Sequence, residues 1–337
     1  MNVLRWILAG SLCLAASLGA GAAGASEKIT ITTPVESLTA SALYIARGQG
    51  LFAAEGLEAE IVVTGGTGPD VQALLVGQSD FAYTPGTHLI EPVVKGQRLL
   101  GVMAGLNRLI INVALHKDVA KAKGITPETP FDQKLKALDG MTLGPTRPGA
   151  LTWQLAEYLI KRAGYTPQKE VKVIAAGAGP VLLAALEHRK VDAILMSSPV
   201  PETAVQRGHA IMFIDNARGE DPNLSEFMMV SLVTRPDFAK ERPETVRKTV
   251  RALVRANQWM LAKSPEEVRD ALRGFLPKIE PAVLLSSIRA LRPAISPDGR
   301  ISEQSVKATQ DVMEAGGFLK ERVPYEKIIS NEFLPRP

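Results

Sequence analysis

Two glycine-proline motifs contain the residues of this sequence best suited to contact a ligand. Gly66-Thr67-Gly68-Pro69 and Gly177-Ala178-Gly179-Pro180 each precede a segment with a helical pattern. Glycine lets the backbone approach a bound molecule closely, and proline fits the first helical turn without losing a hydrogen bond. The first N–H groups of a helix lack partners and carry the positive end of its dipole. Together the motifs predict binding of a small polar or anionic molecule, although each alone could be only a tight turn.

The two motifs belong to an internal repeat. A strand begins at Asp80, 11 residues after Pro69, and another begins at Asp192, 12 residues after Pro180. The further matching landmarks are Thr84-Pro85 with Ser198-Pro199, and Gly96 with Gly208. Two related half-domains explain these matches, and the alternative is a coincidence of common turn residues.

Strands and helices alternate along most of the chain, which predicts parallel sheets with helices on their faces. The predicted strands are 28–33, 58–64, 80–84, 99–103, 110–116, 141–144, 171–175, 191–196, 210–214 and 227–234. The predicted helices are 38–49, 69–77, 85–95, 149–163, 181–188 and one that ends near Arg207. The alternation stops at Lys117–Asp139, which has the composition of a charged connector, and the pattern from Pro236 to about Gly316 is helical.

Ligands of open α/β sheets bind beyond the carboxyl ends of the strands, where loops lead into helix N-termini. We therefore expect ligand contacts from the residues at four such loops and one further strand end. They are Glu36, Ser37, Leu38, Thr39, Thr64, Gly65, Gly66, Thr67, Thr84, Gly86, Thr87, Thr146, Ser197 and Ser198. His88 could face the same cleft. A β-branched residue in place of Gly66 or Gly86 is expected to block the ligand while leaving the fold nearly intact.

Motifs of enzymes and of metal sites are missing from the sequence. Val71 and Leu182 stand where a dinucleotide-binding fingerprint has its third glycine, and no Gly-Lys pair offers a phosphate-binding loop. The four histidines have no metal-ligand spacing. We expect no catalytic residues, no metal and no cofactor.

The first 25 residues have the layout of a secretory signal peptide. Arg5 precedes an uncharged stretch from Trp6 to Leu18, and Ala23-Gly24-Ala25 is a small-residue cleavage site. The stretch is short for a membrane span, and an uncleaved anchor is the alternative. The one cysteine, Cys13, lies in this segment, so a mature chain from about Ser26 is expected to have no disulfide and no thiolate site.

Composition and charge narrow the classes of partner. The 337 residues are 46% hydrophobic and 22% charged, which is typical of globular proteins of two or three domains. The formal charge is only +4, and aromatic residues make up 5%. Without a basic run or base-stacking aromatics, nucleic acid is excluded as a partner.

Several segments resemble one family of transport proteins. The segment Ala42–Leu57 (ALYIARGQGLFAAEGL) combines an aromatic-x-Ala helix with Gly-Leu-Phe and Glu-Gly-Leu, and Gly77-Gln-Ser-Asp80 follows the next helix. With the strand KITITTPVESL, these motifs resemble substrate-binding proteins of ABC importers of the nitrate, sulfonate and taurine type. That group is related to the binders of thiamine-pyrimidine precursors. Leu135–Gly140, Gly144 and Lys161–Gly164 resemble the start of the family's second domain, and the similarity spans roughly residues 28–208.

The resemblance implies an α/β fold of the type II periplasmic-binding-protein class, with mixed or parallel sheets flanked by helices and a ligand cleft between two domains. Domain 1 would comprise 26–106 and 233–337 and domain 2 would comprise 107–232, with hinge crossings near 107–114 and 228–234. Such a protein captures a small, anionic organic ligand (a sulfonate, a carboxylate or a nitrate-like ion) in the periplasm. By closing its domains, it delivers the ligand to an inner-membrane ABC permease with its ATPase. The alternatives are a binder of a thiamine-precursor pyrimidine or an aromatic compound, a periplasmic sensor, and an enzyme on the same fold.

One segment departs from the family's pattern. After Gly144 the family often has hydroxyl residues that contact the ligand, followed by a histidine or an aromatic residue. Here Gly149 and Ala150 occupy hydroxyl positions, and Arg147 and Trp153 are added. Arg147 could hold a carboxylate or sulfonate through two hydrogen bonds, or it could be a surface residue. Trp153 could stack on a flat ligand or pack in the core. All four residues join the expected ligand contacts.

Overall fold

A computed structural model describes residues 26–65 and 68–336 of the chain, and these residues form two five-stranded sheets covered by helices. The predicted signal peptide, 1–25, and the motif residues Gly66 and Thr67 lie outside the described residues. Among the described helices, none is long and apolar enough to cross a membrane.

The strands follow the predicted positions closely. They are β1 (Glu27–Thr33), β2 (Leu57–Val63), β3 (Phe81–Thr84), β4 (Leu100–Leu106), β5 (Ile111–His116), β6 (Thr142–Gly144), β7 (Lys172–Val173), β8 (Ala193–Ser197), β9 (Ala210–Ile214) and β10 (Val230–Thr234). The first sheet has the order β2-β1-β3-β10-β4, and the second has the order β7-β6-β8-β5-β9.

Helices cover the faces of both sheets. They are α1 (Ser41–Gly48), α2 (Leu51–Ala54), α3 (Pro69–Leu75), α4 (Thr87–Val94), α5 (Lys117–Lys123), α6 (Phe131–Lys136), α7 (Leu151–Arg162), α8 (Pro180–Glu187), α9 (Val200–Gln206), α10 (Pro236–Glu241), α11 (Pro243–Ala262), α12 (Pro265–Leu272), α13 (Pro281–Leu291), α14 (Glu303–Ala315) and α15 (Tyr325–Ile328). Short 3₁₀ turns occupy Leu38–Ala40, Asn216–Arg218, Pro222–Leu224 and Arg292–Ala294.

Both sheets are mixed, so the prediction of parallel sheets from the alternation alone is wrong. β1 pairs with β2 and β3 in parallel, but β10 is antiparallel to β3 and β4. In the second sheet β6 is parallel to β7 and β8, and β5 is antiparallel to β8 and β9. β5 and β10 are the antiparallel strands, and each is the first strand after the chain crosses from one sheet to the other. Such a strand does not follow a helical crossover within its own sheet, which is the connection that makes neighbouring strands parallel.

The predicted charged connector, residues 117–139, contains two helices, α5 and α6. The side chain of His116 caps the first turn of α5, and Gly124 ends that helix in a left-handed conformation with φ 65°. Val119 and Ala120 are buried on one face of α5. The high charge of the segment concealed its helices, because each buries only a few residues.

The structure gives both copies of the predicted repeat the same contacts. The backbone N–H of Thr30 donates to a carboxylate oxygen of Asp80 at 2.8 Å, and that of Thr142 donates to Asp192 at 2.8 Å. Each aspartate N–H returns a hydrogen bond to the same threonine's carbonyl. α3 and α8 begin at the prolines of the two motifs. These matched contacts support two related half-domains.

The C-terminal helices contact both halves of the molecule. α11 packs against α1 and α2 beside the first sheet, whereas α13 contacts α9 and α14 contacts α7 beside the second. The predicted domain boundary at residue 233 falls inside β10, and the whole of that strand pairs within the first sheet. The division into domains otherwise stays a prediction.

Candidate functional site

A cavity of about 380 Å³ lies between the two sheets. Its lining residues follow β1, β2 and β3 of the first sheet and β6, β7 and β8 of the second, with further walls from the starts of β5 and β10. This is the edge of an α/β sheet where ligands bind, and its volume lies in the ~300–1,000 Å³ range of small-molecule sites. The cavity is therefore the candidate site.

Six of the residues expected to contact a ligand line this cavity. They are Thr39, Gly65, Thr146, Arg147, Ala150 and Ser197. They come from both halves of the molecule, and a direct contact of each with a ligand stays a prediction.

The remaining expected residues that the structure describes do not line the cavity. Leu38, Thr84 and Thr87 are fully buried, and Glu36 is exposed. The remaining ones make local hydrogen bonds. Ser37 Oγ accepts from Thr39 N–H, Thr64 N–H donates to Thr33 O, Gly149 O accepts from Gln154, Ser198 Oγ donates to Glu202, and the Trp153 indole N–H donates to Glu157. Trp153 is half-buried and packs against the core. Of its two predicted roles, this arrangement matches packing in the core rather than stacking on a ligand.

Gly86 contacts protein rather than the cavity. Its N–H donates to the carbonyl of Met228 at 2.9 Å, and a Cβ placed on Gly86 would lie 2.4 Å from the Cβ of Met228. A valine at this position must displace the chain at the start of β10. The expectation that this substitution leaves the fold nearly intact is therefore wrong.

Most of the wall that sequence reasoning missed is apolar. The missed residues are Pro34, Val35, Tyr83, Pro85, Ile111, Leu151, Thr152, Met196, Met229 and Val230. Gly177 and Ala178 also line the cavity; they belong to the second glycine-proline motif but were not among the expected contacts. The apolar residues at strand ends carried no sequence signal, since they have the pattern of core residues.

The polar part of the wall is concentrated at the N-terminus of α7. Arg147 is the one charged residue among the described lining residues. Thr152 Oγ1 accepts a hydrogen bond from Thr146 N–H at 3.1 Å, which fixes this loop against the helix. Ala150 at the N-cap position supplies no side-chain cap, and the first N–H groups of a helix have no acceptor within it. A guanidinium beside such N–H groups favours a bound anion.

Arg147 also extends from the second half of the molecule toward the first. A Cβ placed on Gly68, which precedes α3, would lie 4.0 Å from an Nη atom of Arg147. The guanidinium therefore stands where the two halves face each other.

Tyr83 forms an apolar part of the cavity wall from β3. It is 1% exposed, and burial raises the pKa of its hydroxyl well above the ordinary value, so the ring is neutral. Its hydroxyl lies where Gly105 has no side chain, since a Cβ there would be 1.7 Å from the Tyr83 oxygen. The absence of a side chain at Gly105 in β4 thus leaves the space that this hydroxyl occupies.

His88 is buried in α4 and does not line the cavity. Burial lowers the pKa of its imidazole below the ordinary value, the carboxylates of Asp70 and Glu91 oppose this, and Arg147 adds to it. The imidazole is therefore neutral in the folded chain at neutral pH. Within the described residues, no group of acidic, histidine or cysteine side chains could hold a metal ion.

This lowered pKa predicts a loss of stability in acid. Below about pH 6.5, the unfolded chain takes up a proton on His88 that the folded chain does not, so the free energy of unfolding falls as the pH falls. In His88→Gln, thermal unfolding between pH 8 and pH 5 should show a weaker pH dependence. Part of the dependence should persist, because burial also lowers the pKa of His116. His188→Gln, at an exposed position, is the control; an equal change in both variants would contradict this assignment.

The two mixed sheets, the helices that flank them and the cavity between them define an α/β fold of the periplasmic-binding-protein class. The model of the NMT1-like family matches residues 24–273, and the chain belongs to this family. YtlA of Bacillus subtilis (strain 168) is 22% identical over 98% of both chains. The alkanesulfonate-binding protein SsuA of Xanthomonas axonopodis pv. citri, solved with MOPS bound, is 17% identical, with a TM-score of 0.68 over 90% of this chain and 98% of that one. The nitrate-binding protein NrtA of Synechocystis PCC 6803 is 16% identical, with a TM-score of 0.67 over 91% and 86%.

These comparisons confirm the family resemblance and the fold class predicted from the sequence. SsuA and NrtA are named as binding proteins rather than enzymes, which agrees with the expectation that this chain catalyses no reaction.

Proposed function

We propose that this protein is the periplasmic solute-binding component of an ABC importer and that it captures a small organic anion. The observation that carries the proposal is the cavity between the two halves, whose one charged lining residue among those described is the cation Arg147. The family and the sulfonate- and nitrate-binding relatives support an anion as the ligand. The signal-peptide layout of the sequence and the periplasmic relative NrtA support the location.

Binding in this proposal works by a shift of population. A ligand that touches both walls binds the closed arrangement more tightly than the open one, and it favours closure by that difference in affinity. The chain crosses between the sheets at 107–110 and again between β9 and β10, so these two crossings are the proposed hinge. A membrane permease would recognise the surface that the closed form presents.

The proposal predicts that organic anions stabilise the protein and that neutral compounds do not. A ligand at 100 times its dissociation constant adds about 2.7 kcal/mol to the free energy of unfolding. Thermal unfolding of the chain from Ser26 should be measured with alkanesulfonates, alkanecarboxylates, nitrate and a neutral aminopyrimidine, at matched ionic strength with sodium chloride. A rise in melting temperature with anions supports the proposal. Stabilisation by the pyrimidine alone, or by nothing in the panel, would refute it.

A further inference from the structure

The walls of the candidate cavity are mainly apolar on both sides. The apolar side chains come from the first half, from the crossings and from the second half: Val35, Tyr83, Met229, Ile111, Leu151 and Met196. Such walls gain free energy when they cover apolar ligand surface, at roughly 25 cal/mol per Å². The unbranched side chains of Met196 and Met229 adapt to ligands of irregular shape. The wall chemistry therefore favours a ligand with an apolar body.

The size of the cavity favours the same ligand. At ~30 Å³ for each water molecule, 380 Å³ holds roughly a dozen waters. Nitrate has no apolar atoms, and taurine has only a short ethylene chain between its charged groups. Either ion would leave most of the apolar wall in contact with water, so neither uses the surface that this cavity offers.

The charges of the cavity disfavour zwitterionic ligands. Its described lining residues include Arg147 but no aspartate or glutamate. The ammonium group of a zwitterion such as taurine would lose its water and find no carboxylate partner there, and burying an unpaired charge is costly. The guanidinium of Arg147 favours a negative group on the ligand.

We infer that the ligand of this site is an organic monoanion that has a bulky apolar body and no amino group, with a sulfonate or carboxylate head held by Arg147. The inference rests on the proposed function and narrows it. Arg147 and the N-terminus of α7 bind the head, and the body lies between Tyr83 and Met196. Apolar volume and the absence of a second charge determine which anions are accepted.

Calorimetric titration with a homologous series tests the inference. Methanesulfonate, butanesulfonate and octanesulfonate should bind with affinities that rise roughly threefold to fourfold for each buried methylene until the cavity is filled. Octanoate distinguishes the two head groups, because its affinity beside that of octanesulfonate shows which one Arg147 prefers. The ω-amino derivative of octanesulfonate should bind at least tenfold more weakly than octanesulfonate itself. Nitrate and taurine should bind more weakly than octanesulfonate by at least as much.

Two alanines of one loop provide matched variants. Ala178 is exposed and lines the cavity, and Ala175 is exposed in the same loop but does not line it. Ala178→Phe fills part of the cavity, so it should weaken octanesulfonate binding at least tenfold and leave methanesulfonate binding nearly unchanged. Ala175→Phe should change neither affinity.

The outcomes separate the inference from the proposed function. An affinity that does not change with chain length, or taurine or nitrate binding as tightly as octanesulfonate, overturns the inference while the protein remains an anion binder. An equal effect of Ala178→Phe on octanesulfonate and methanesulfonate overturns it as well. If no anion of the panel binds, both the inference and the proposed function fail.

Discussion

Replacing Arg147 with alanine is expected to weaken the binding of octanesulfonate by about 10- to 150-fold. Hydrogen bonds to a charged group contribute about 1.5–3 kcal/mol, and Arg147 is the one cation among the described lining residues. Its side chain is exposed, so the melting temperature without ligand should change little. Calorimetric titration of the purified chain measures the loss.

Two further variants make this result specific. Arg147→Lys keeps the charge but loses the planar fork that binds two oxygens at once, so its affinity should lie between those of the wild type and the alanine variant. Lys172→Ala removes an exposed charge from the same half of the molecule, outside the cavity lining, and should leave binding unchanged. Equal losses in Arg147→Ala and Lys172→Ala would mean that only the net charge of the protein attracts the anion.

Gly105→Ala is expected to cause a large loss of stability. The added Cβ would lie 1.7 Å from the hydroxyl oxygen of Tyr83 and 2.5 Å from the adjacent ring carbon, so the ring must move toward the cavity. Overpacking a core usually costs about 1–3 kcal/mol and sometimes more, and this contact is closer than any relaxed packing allows. We expect a loss of about 3 kcal/mol, equivalent to a fall of roughly 6–12 °C in melting temperature.

A double mutant identifies the cause of this loss. Tyr83→Phe removes the atom nearest to the new methyl group, so the pair Tyr83→Phe/Gly105→Ala should recover part of the stability lost in Gly105→Ala. Gly274→Ala is the matched control, because a Cβ there meets no atom within 4 Å and its backbone is not in the left-handed region. That control should be neutral or slightly stabilising. Additive effects of the two substitutions at Tyr83 and Gly105 would show that the hydroxyl contact is not the cause.

The fold was predictable because its signals are local. Alternating β-branched residues in β1, and glycines and prolines at helix ends, place the elements within a few residues. The antiparallel direction of β10 was not predictable in this way, since it depends on which sheet precedes the strand and not on the residues of the strand. The helices of 117–139 were missed because each buries only a few side chains. So few buried positions produce no clear apolar pattern in a segment with many charged residues.

The site was predictable only in part, for a related reason. Strand-end geometry identified Thr146 and Ser197, and the departure from the family's pattern identified Arg147; all three are polar and line the cavity. The same rule also selected Thr84 and Thr87, although their side chains are fully buried. The packing that covers such a residue comes from distant parts of the chain. Whether a strand-end residue faces a ligand or another element therefore depends on tertiary contacts that a single sequence does not encode locally.

The position of β10 has a consequence for the order in which the chain folds. The strands of the second sheet lie within the continuous segment 111–214, so they can pair as soon as that segment is available. In the first sheet β10 lies between β3 and β4, so these two strands are not joined until Val230–Thr234 pairs with both of them. That pairing closes a loop of more than a hundred residues between β4 and β10. Pairings so distant along the chain form slowly. During that interval β3 and β4 present unpaired edges, and a chain ending before β10 would keep those edges exposed to other molecules.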